Sequence, residues 1–242
     1  YFTIYSSQTL KKHGWNTGFY IDFAHNPLEI GVPLGNRAAG VVDNTIIGNF
    51  YATYGLLDWF SVGMNLPVIF WLDYVNSLPA PFNTGNGATD SLTELGDIRF
   101  ELKFRILNNE DKLIGLALVP FFTLPTGPST VFAGNGAVTG GLKIALDFNI
   151  HERVKLALNV GYLARDDVTI FGVRMDDQLL LGLGLSVKII ERLTFLVEAH
   201  TEPVIRDLFA NEVQTPAEVL GGFRVKITDH WNVNVGGGAG LT

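Results

Sequence analysis

The residue types able to do chemistry are few, and their spacing argues against most of it. His13, His25, His151, His200 and His230 are scattered through the chain, with no pair at a metal-ligating spacing. His151-Glu152 falls in a short turn and does not form a His-Glu-x-x-His helix. His200, flanked by Glu198 and Glu202, is the one acid/base candidate. A lipase built on it would need a serine within hydrogen-bond reach. Ser186 lies on a neighbouring strand but near its opposite end, on the order of 15 Å away by strand rise. His200 therefore reads as a satisfied interior polar group. Asp166, Asp167, Asp176 and Asp177 lack the spacing of a calcium loop and read as solvated loop charge. Gly236–Gly240 does not match Gly-x-Gly-x-x-Gly and sits within a strand pattern. There is no cysteine, so disulfides, thiolate zinc sites and cysteine nucleophiles are excluded. The expectation is a non-enzyme with no cofactor, no metal and no catalytic residue.

Composition narrows the class further. The chain has 242 residues, 47% of them hydrophobic and 17% charged, with mean hydropathy +0.24. That is too apolar for disorder, and charge falls below the roughly 25% of an average soluble domain. The longest apolar runs, Leu113–Leu124 and Leu179–Val187, reach about half the length of a membrane-spanning helix. A net charge of −7 and pI ≈ 5.2 argue against nucleic acid as a partner. The chain opens on Tyr1-Phe2-Thr3 with no signal peptide, so an exported protein would be met here as its mature form or a fragment. Lack of cysteine suits a bacterial envelope protein that crosses an oxidising periplasm.

Period-2 alternation dominates the sequence. In Asp97–Ile106, Ile98, Phe100, Leu102, Phe104 and Ile106 alternate with Asp97, Arg99, Glu101, Lys103 and Arg105. A strand sends these sets to opposite faces, one apolar and one charged. The pattern recurs at Phe19–Phe23, Ile46–Leu56, Phe60–Leu72, Ile114–Leu124, Leu142–Ile150, Val154–Tyr162, Leu179–Ile189, Leu193–Thr201, Val219–Ile227 and Trp231–Leu241. This predicts about eleven strands of about ten residues each.

Short polar turns alternate with long Gly-, Asn-, Pro- and Asp-rich segments at residues 25–44, 73–94, 125–138, 165–177 and 202–216. Two of them carry Gly-Asn-Gly-Ala, at Gly85–Ala88 and Gly134–Ala137, where Asn-Gly favours a tight reversal. Bulky aromatics gather near the strand ends: Trp15, Trp59, Phe60, Phe148 and Trp231 by the short turns, and Phe70, Trp71, Tyr74, Phe122 and Tyr162 towards the long loops. Two such belts suit two lipid interfaces. The fold class predicted is therefore all-β: a transmembrane antiparallel up-and-down β-barrel in the bacterial outer membrane, with membrane lipids as its partners. Residues 1–15 read as a periplasmic lead-in and residues 16–242 as the barrel. An odd strand count, set against the even count of such barrels, leads us to expect a twelfth strand beyond Thr242.

Three segments carry a resemblance: Tyr20–Leu28 (Tyr-Ile-Asp-Phe-Ala-His-Asn-Pro-Leu), Leu95–Arg105 (Leu-Gly-Asp-Ile-Arg-Phe-Glu-Leu-Lys-Phe-Arg), and Phe121–Gly127 with Gly140–Leu142 after it. They resemble the N-terminal barrels of an OmpA-family branch found in predatory bacteria and their deltaproteobacterial relatives. The resemblance covers nearly the whole chain, and its motifs are architectural. It implies an outer-membrane barrel whose family members often continue into a peptidoglycan-binding domain. That domain is absent from this chain, so peptidoglycan is a partner only through it.

By this face assignment the interior holds Asp97, Arg99, Glu101, Lys103, Arg105, Lys143, Asp147, Lys155, Lys188, Glu198, Arg224 and Lys226, together with Glu218. Mixed signs in a confined space predict a salt-bridge network, because an unpaired buried charge costs about several kcal/mol. Barrels of about eight strands are filled by side chains and those of about sixteen hold a channel; about twelve lies between. Ile69, Trp71, Phe121 and Leu180 are expected on the inner wall, narrowing the lumen. Lys103, Arg105, Lys155, Lys188, Arg224 and Lys226 fall towards the short turns, whereas Asp97, Glu202 and Glu218 fall towards the long loops. Two functions follow from this interior: a structural, membrane-organising barrel of OmpA type, or a passive narrow pore for small solutes. On the lipid face, Ala199, Ala217, Gly221, Gly237 and Ala239 cluster on the last three strands. Small residues there read either as a protomer contact, with barrels closing into a lipid-enclosing ring, or as glycine easing curvature near the seam.

Overall fold

A computed structural model describes residues 1–242 apart from 33–35, 76–88, 92, 111, 132, 171–172, 209–214 and 242. Its strands are β1 (Trp15–Val32), β2 (Asn36–Leu57), β3 (Phe60–Val75), β4 (Thr89–Ser91), β5 (Glu94–Leu95), β6 (Ile98–Leu107), β7 (Ile114–Leu124), β8 (Thr139–His151), β9 (Val154–Ala164), β10 (Val168–Ile170), β11 (Val173–Met175), β12 (Gln178–Ile190), β13 (Leu193–Thr201), β14 (Ala217–Lys226) and β15 (Asn232–Gly240). The long strands pair antiparallel with their chain neighbours in the order β1-β2-β3-β6-β7-β8-β9-β12-β13-β14-β15, with β4 and β5 pairing β3. This is the up-and-down meander that the alternation predicted. β1 and β15 stand at the two ends of that order.

Register follows from the pattern. Phe60 opposes Phe104, Phe100 opposes Phe122, and Phe195 opposes Phe223. The first two ring pairs stack at centroid separations of 4.6 and 5.3 Å. A shift by one residue would send each ring to the other face. On one face Ser61, Asp147, Asn159 and Glu198 are buried, and on the other Ile21, Leu102, Leu142, Leu183 and Phe223 are exposed. A sheet whose carboxylates are buried while its leucines are exposed is inverted with respect to a water-soluble protein. It matches a barrel whose outer wall meets acyl chains. Trp15 (73% exposed) and Trp231 (72%) lie at the short-turn rim, where an indole can place its ring in lipid and its N–H in the headgroups.

The structure departs from the sequence reading in places. Residues 25–44, expected as a loop, continue the β1–β2 hairpin beyond His25↔Asn44 to Val32↔Asn36 through three register shifts. Within 165–177, β10 and β11 form a separate two-stranded sheet. Trp71, expected on the inner wall, is 41% exposed. The register steps from Ile47↔Ile69 to Ile46↔Trp71, so Phe70 and Trp71 together oppose Ile46. This β-bulge reverses the parity of the strand and turns Leu72 inward, where it is buried. Of the two Gly-Asn-Gly-Ala segments, Gly85–Ala88 lies outside the described residues, as does the side chain of Tyr74. In the other, Gly136 has φ +73°, which a residue with a Cβ rarely adopts.

Sidedness can be measured by substitution. Leu102→Arg, mid-strand on the outer face, should cost about 2–4 kcal/mol of folding free energy in bilayers. Lys155→Gln, at the short-turn end of β9, should stay within about 0.5 kcal/mol. Reversible denaturant titration in lipid vesicles reads both.

Candidate functional site

The inner wall is lined by unusually small residues. Ala117, Ala145 and Ala157 are fully buried on it, and Gly115, Gly182, Gly184, Gly222 and Gly236 contribute no side chain. These positions leave a trench that the N-terminal segment, residues 1–13, occupies. An added Cβ would lie 2.2 Å from Ser7 Oγ at Gly115, 2.4 Å from Ile4 Cδ1 at Gly182, and 2.6 Å from the Phe2 ring at Gly236. The segment runs from the β2–β3 turn across the lumen to β12–β15. The sequence reading placed it outside, as a periplasmic lead-in. Its hydrogen bonds place it inside.

Side chains of the inner wall and of the short turns hold it. Glu198, 1% exposed, accepts from the backbone N–H of Phe2, of Thr3 at 2.7 Å and of Ile4 at 3.1 Å, and from Thr3 Oγ1 at 2.8 Å. Asn159 accepts from Tyr5 N–H at 2.7 Å and donates to Tyr5 O at 2.9 Å. Asp147 accepts from Ser7 N–H and Ser7 Oγ, both at 2.6 Å. Asn109 accepts from the Gln8 side-chain amide. At the short-turn end, Lys12 N–H donates to Asp58 Oδ1 at 2.8 Å and His13 N–H to Gly55 O at 2.7 Å. The segment's backbone donors need partners inside a membrane barrel, and the wall carboxylates need donors. Each supplies the other with charge-assisted bonds of about 1.5–3 kcal/mol apiece.

At mid-lumen the Tyr5 side chain is surrounded by charge. Its hydroxyl donates to Glu101, which also accepts from Arg99 Nε at 2.7 Å. The Arg99 guanidinium carbon sits 3.9 Å from the Phe121 ring centroid, and Lys143 Nζ lies 4.9 Å from the Tyr5 ring. Lys103 Nζ is 5.9 Å from the same ring. Cations held over ring faces in a desolvated setting gain about 0.5–2 kcal/mol each. Beside the segment lie two cavities. The one towards the short turns has a volume of about 280 Å³ and touches Leu10, Asn16, Thr53, Ser61 and Lys103. The one towards the long loops has about 140 Å³ and touches Ile4, Lys143, Leu180 and His200.

The predicted interior residues therefore divide. Arg99, Glu101, Lys103 and Lys143 converge on Tyr5; Asp147 and Glu198 bind backbone; Arg224 donates to Tyr1 O at 3.4 Å. Lys188 and Lys226 pair instead with turn residues Glu191 at 3.1 Å and Asp229 at 2.7 Å. Arg105 and Lys155 stand at the short-turn ends of β6 and β9. Asp97 braces the 125–138 loop, accepting from Gly127 N–H at 3.0 Å and Asn135 N–H at 2.7 Å. The expected salt-bridge network is thus largely replaced: within the predicted set, the ion pair among the described residues is Arg99–Glu101. Peptide N–H groups do most of the work assigned to lysines and arginines. Sequence reasoning missed a polar ladder too, in which Asn65 donates to Asn49 and Asn49 to Asp22, both at 3.0 Å. The signal for the trench was present in the inward alanines and glycines. Ala199, Ala217, Gly221, Gly237 and Ala239 occupy adjoining positions of β13–β15 on the face opposite Glu198, and an added Cβ at Gly237 would meet nothing within 4 Å. Among the described residues no group of His, Asp and Glu could hold a metal ion.

At the loop rim, Asp177 accepts from the Tyr162 hydroxyl and from Arg165 N–H at 3.1 Å. These bonds, the tyrosine's first, hold its carboxyl below the ordinary carboxylate value. Its neighbour Asp176 pairs with Arg206 at 2.8 Å, so the acidic loop residues tie 165–177 to 202–208.

Comparison with known proteins extends this description. A protein-family model described as "Putative MetA-pathway of phenol degradation" matches residues 29–241. Among solved structures, the toluene transporter TodX of P. putida is similar with a TM-score of 0.50 and 13% identity, over 94% of this chain and 72% of that one. The toluene transporter TbuX of Ralstonia pickettii is similar with a TM-score of 0.48 and 9% identity, over 96% of this chain and 74% of that one. No curated protein matches by sequence. The TodX likeness concerns the fold. With the inverted faces of the sheet, it makes this chain an outer-membrane β-barrel, and the OmpA resemblance is supported to that level.

Two outcomes follow from the site. Glu198→Ala leaves the amides of Phe2, Thr3 and Ile4 without their acceptor, at about 1–3 kcal/mol for each buried donor. Their hydrogen exchange should quicken by roughly tenfold or more while β13 stays protected. Because Asp177 has a depressed folded value, its contribution is present above the ordinary carboxylate value of about 3.9 and lost as pH falls through the depressed one. Tyr162→Phe should move that loss to higher pH, read as amide protection at Arg165 in an acid titration.

Proposed function

This chain belongs to the family described as "Putative MetA-pathway of phenol degradation", and we propose that it is a passive outer-membrane conduit for small, weakly polar aromatic molecules. Residues 1–13 sit in its lumen as a stopper. The observation that carries this reading is the cluster at mid-lumen, where Arg99 and Lys143 face the rings of Phe121 and Tyr5 beside Glu101. A small arene can replace one ring in such a stack, and a hydroxyl on it finds both cations and a carboxylate within reach. A strongly hydrated solute would have to shed water against Phe121, Leu180 and Ile69, all buried on the wall. The segment lies between the two cavities, so passage requires it to shift. The fold shared with a toluene transporter supports the same class of cargo. Nothing in this reading calls for catalysis, and the protein acts as a non-enzyme.

A second reading, the structural barrel of OmpA type, is favoured by one observation: the lumen is occupied, and the bonds to Glu198, Asn159 and Asp147 fix the occupant at several points. In that case the segment rigidifies the barrel and never leaves. Association through the small-residue patch around Gly237 belongs to this second reading.

Flux separates the two. Liposomes holding the full chain should admit phenol faster than a sugar of similar size, with little ion conductance. Removal of residues 1–13 should raise conductance and abolish the preference for phenol. A full chain that admits neither solute, with a barrel that stays silent after the removal, would leave the structural role standing instead.

A further inference from the structure

We propose that the seat of the Tyr5 ring is a binding site for a single phenol, and that the stopper and the cargo compete for it. The proposal deepens the conduit reading and rests on it for the class of cargo. The side chain of tyrosine is p-cresol, so a seat that holds Tyr5 is by its chemistry a receptor for a small hydroxylated arene. Its contacts are specific. The Tyr5 hydroxyl donates to Glu101, and Arg99 Nη2 donates to the hydroxyl oxygen at 3.4 Å. A phenolic hydroxyl can both donate and accept, and here it does both. Lys143 Nζ lies 4.9 Å and Lys103 Nζ 5.9 Å from the ring centroid, where cations favour an aromatic face.

These contacts select for the hydroxyl. A plain hydrocarbon ring in the seat leaves Glu101 without the phenolic donor and so forfeits a charge-assisted bond. Freeing the ring also leaves the segment anchored. Asn159 on β9 accepts from Tyr5 N–H at 2.7 Å and donates to Tyr5 O at 2.9 Å, three strands along the wall from Glu101 on β6. Tyr5 is therefore a crossbar, its backbone fixed to one part of the wall and its hydroxyl to another. A phenol that takes the Glu101 bond releases the bar at one end. Tyr5 also borders the 280 Å³ cavity, which gives the displaced ring somewhere to go.

The test uses the full chain in lipid nanodiscs, with empty nanodiscs as the control for partitioning. Ligand-detected NMR titrations compare p-cresol with toluene, which are the tyrosine and phenylalanine side chains as free molecules. Tyr5→Gly empties the seat without altering the wall. p-Cresol should bind this variant about tenfold or more tightly than it binds the intact chain, because the internal competitor is gone. It should also bind there about tenfold more tightly than toluene, since only the cresol restores the bond to Glu101. Tyr5→Phe keeps a ring on the segment but not the hydroxyl. p-Cresol should bind it roughly tenfold more tightly than it binds the intact chain, and this variant carries the test alone if Tyr5→Gly fails to fold. p-Cresol binding that is indifferent to residue 5 overturns the shared seat, and so does toluene matching p-cresol in Tyr5→Gly, even if liposome flux of phenol persists and the conduit stands. Binding that depends on Tyr5, without flux, keeps the seat and removes the conduit.

Discussion

A carboxylate turned into the lumen of a membrane barrel must find hydrogen-bond donors there, because leaving one buried and unpaired costs about several kcal/mol. Glu198 and Asp147 meet this demand with peptide N–H groups of residues 2–4 and 7. The exchange is mutual. An extended segment inside the wall has the same need, since its own amides have no strand to pair with. Much else in the structure depends on that interaction. It sets the course of residues 1–13, how much of the lumen they fill, and which cavities remain.

Room for the segment comes from the wall. Alanines 117, 145 and 157 and the glycines of β7, β12, β14 and β15 lower the inner surface along the segment's path. Where the wall is not small it is charged, and Arg99, Glu101, Lys103 and Lys143 gather around the one large polar ring the segment presents, Tyr5. The result is a lumen interrupted near its middle by a cation–aromatic knot, with an open volume on either side.

The long loops are braced by single carboxylates at the strand ends: Asp97 gathers Gly127 and Asn135, and Asp177 gathers Tyr162 and Arg165. Both sit where a strand meets its loop, which lets one short side chain reach two donors at once. The cavity touching His200 lies at this end of the barrel, with Thr3 and Ile4 of the N-terminal segment on its wall.

How much was legible before folding depends on the kind of force involved. The sorting of Phe100 and Leu102 from Glu101 and Lys103 follows from the strand's period of two, and with it came the strands, their order, the aromatic rims and the membrane. Those features are local, and the side chain itself carries the signal. Three features were not legible. The bulge at Phe70 and Trp71 reverses a face through one added residue and has no residue-type signature. The partners of Glu198 and Asp147 are backbone amides, which every residue but proline has, so no spacing in residues 1–13 announces them. The cavity beside His200 needs Ile4, Lys143 and Leu180 brought together from three distant stretches of chain. The sequence alone determined which face of each strand meets lipid; tertiary structure decided what fills the space within, because contacts through common backbone groups and between remote segments exist only once the wall has formed around them.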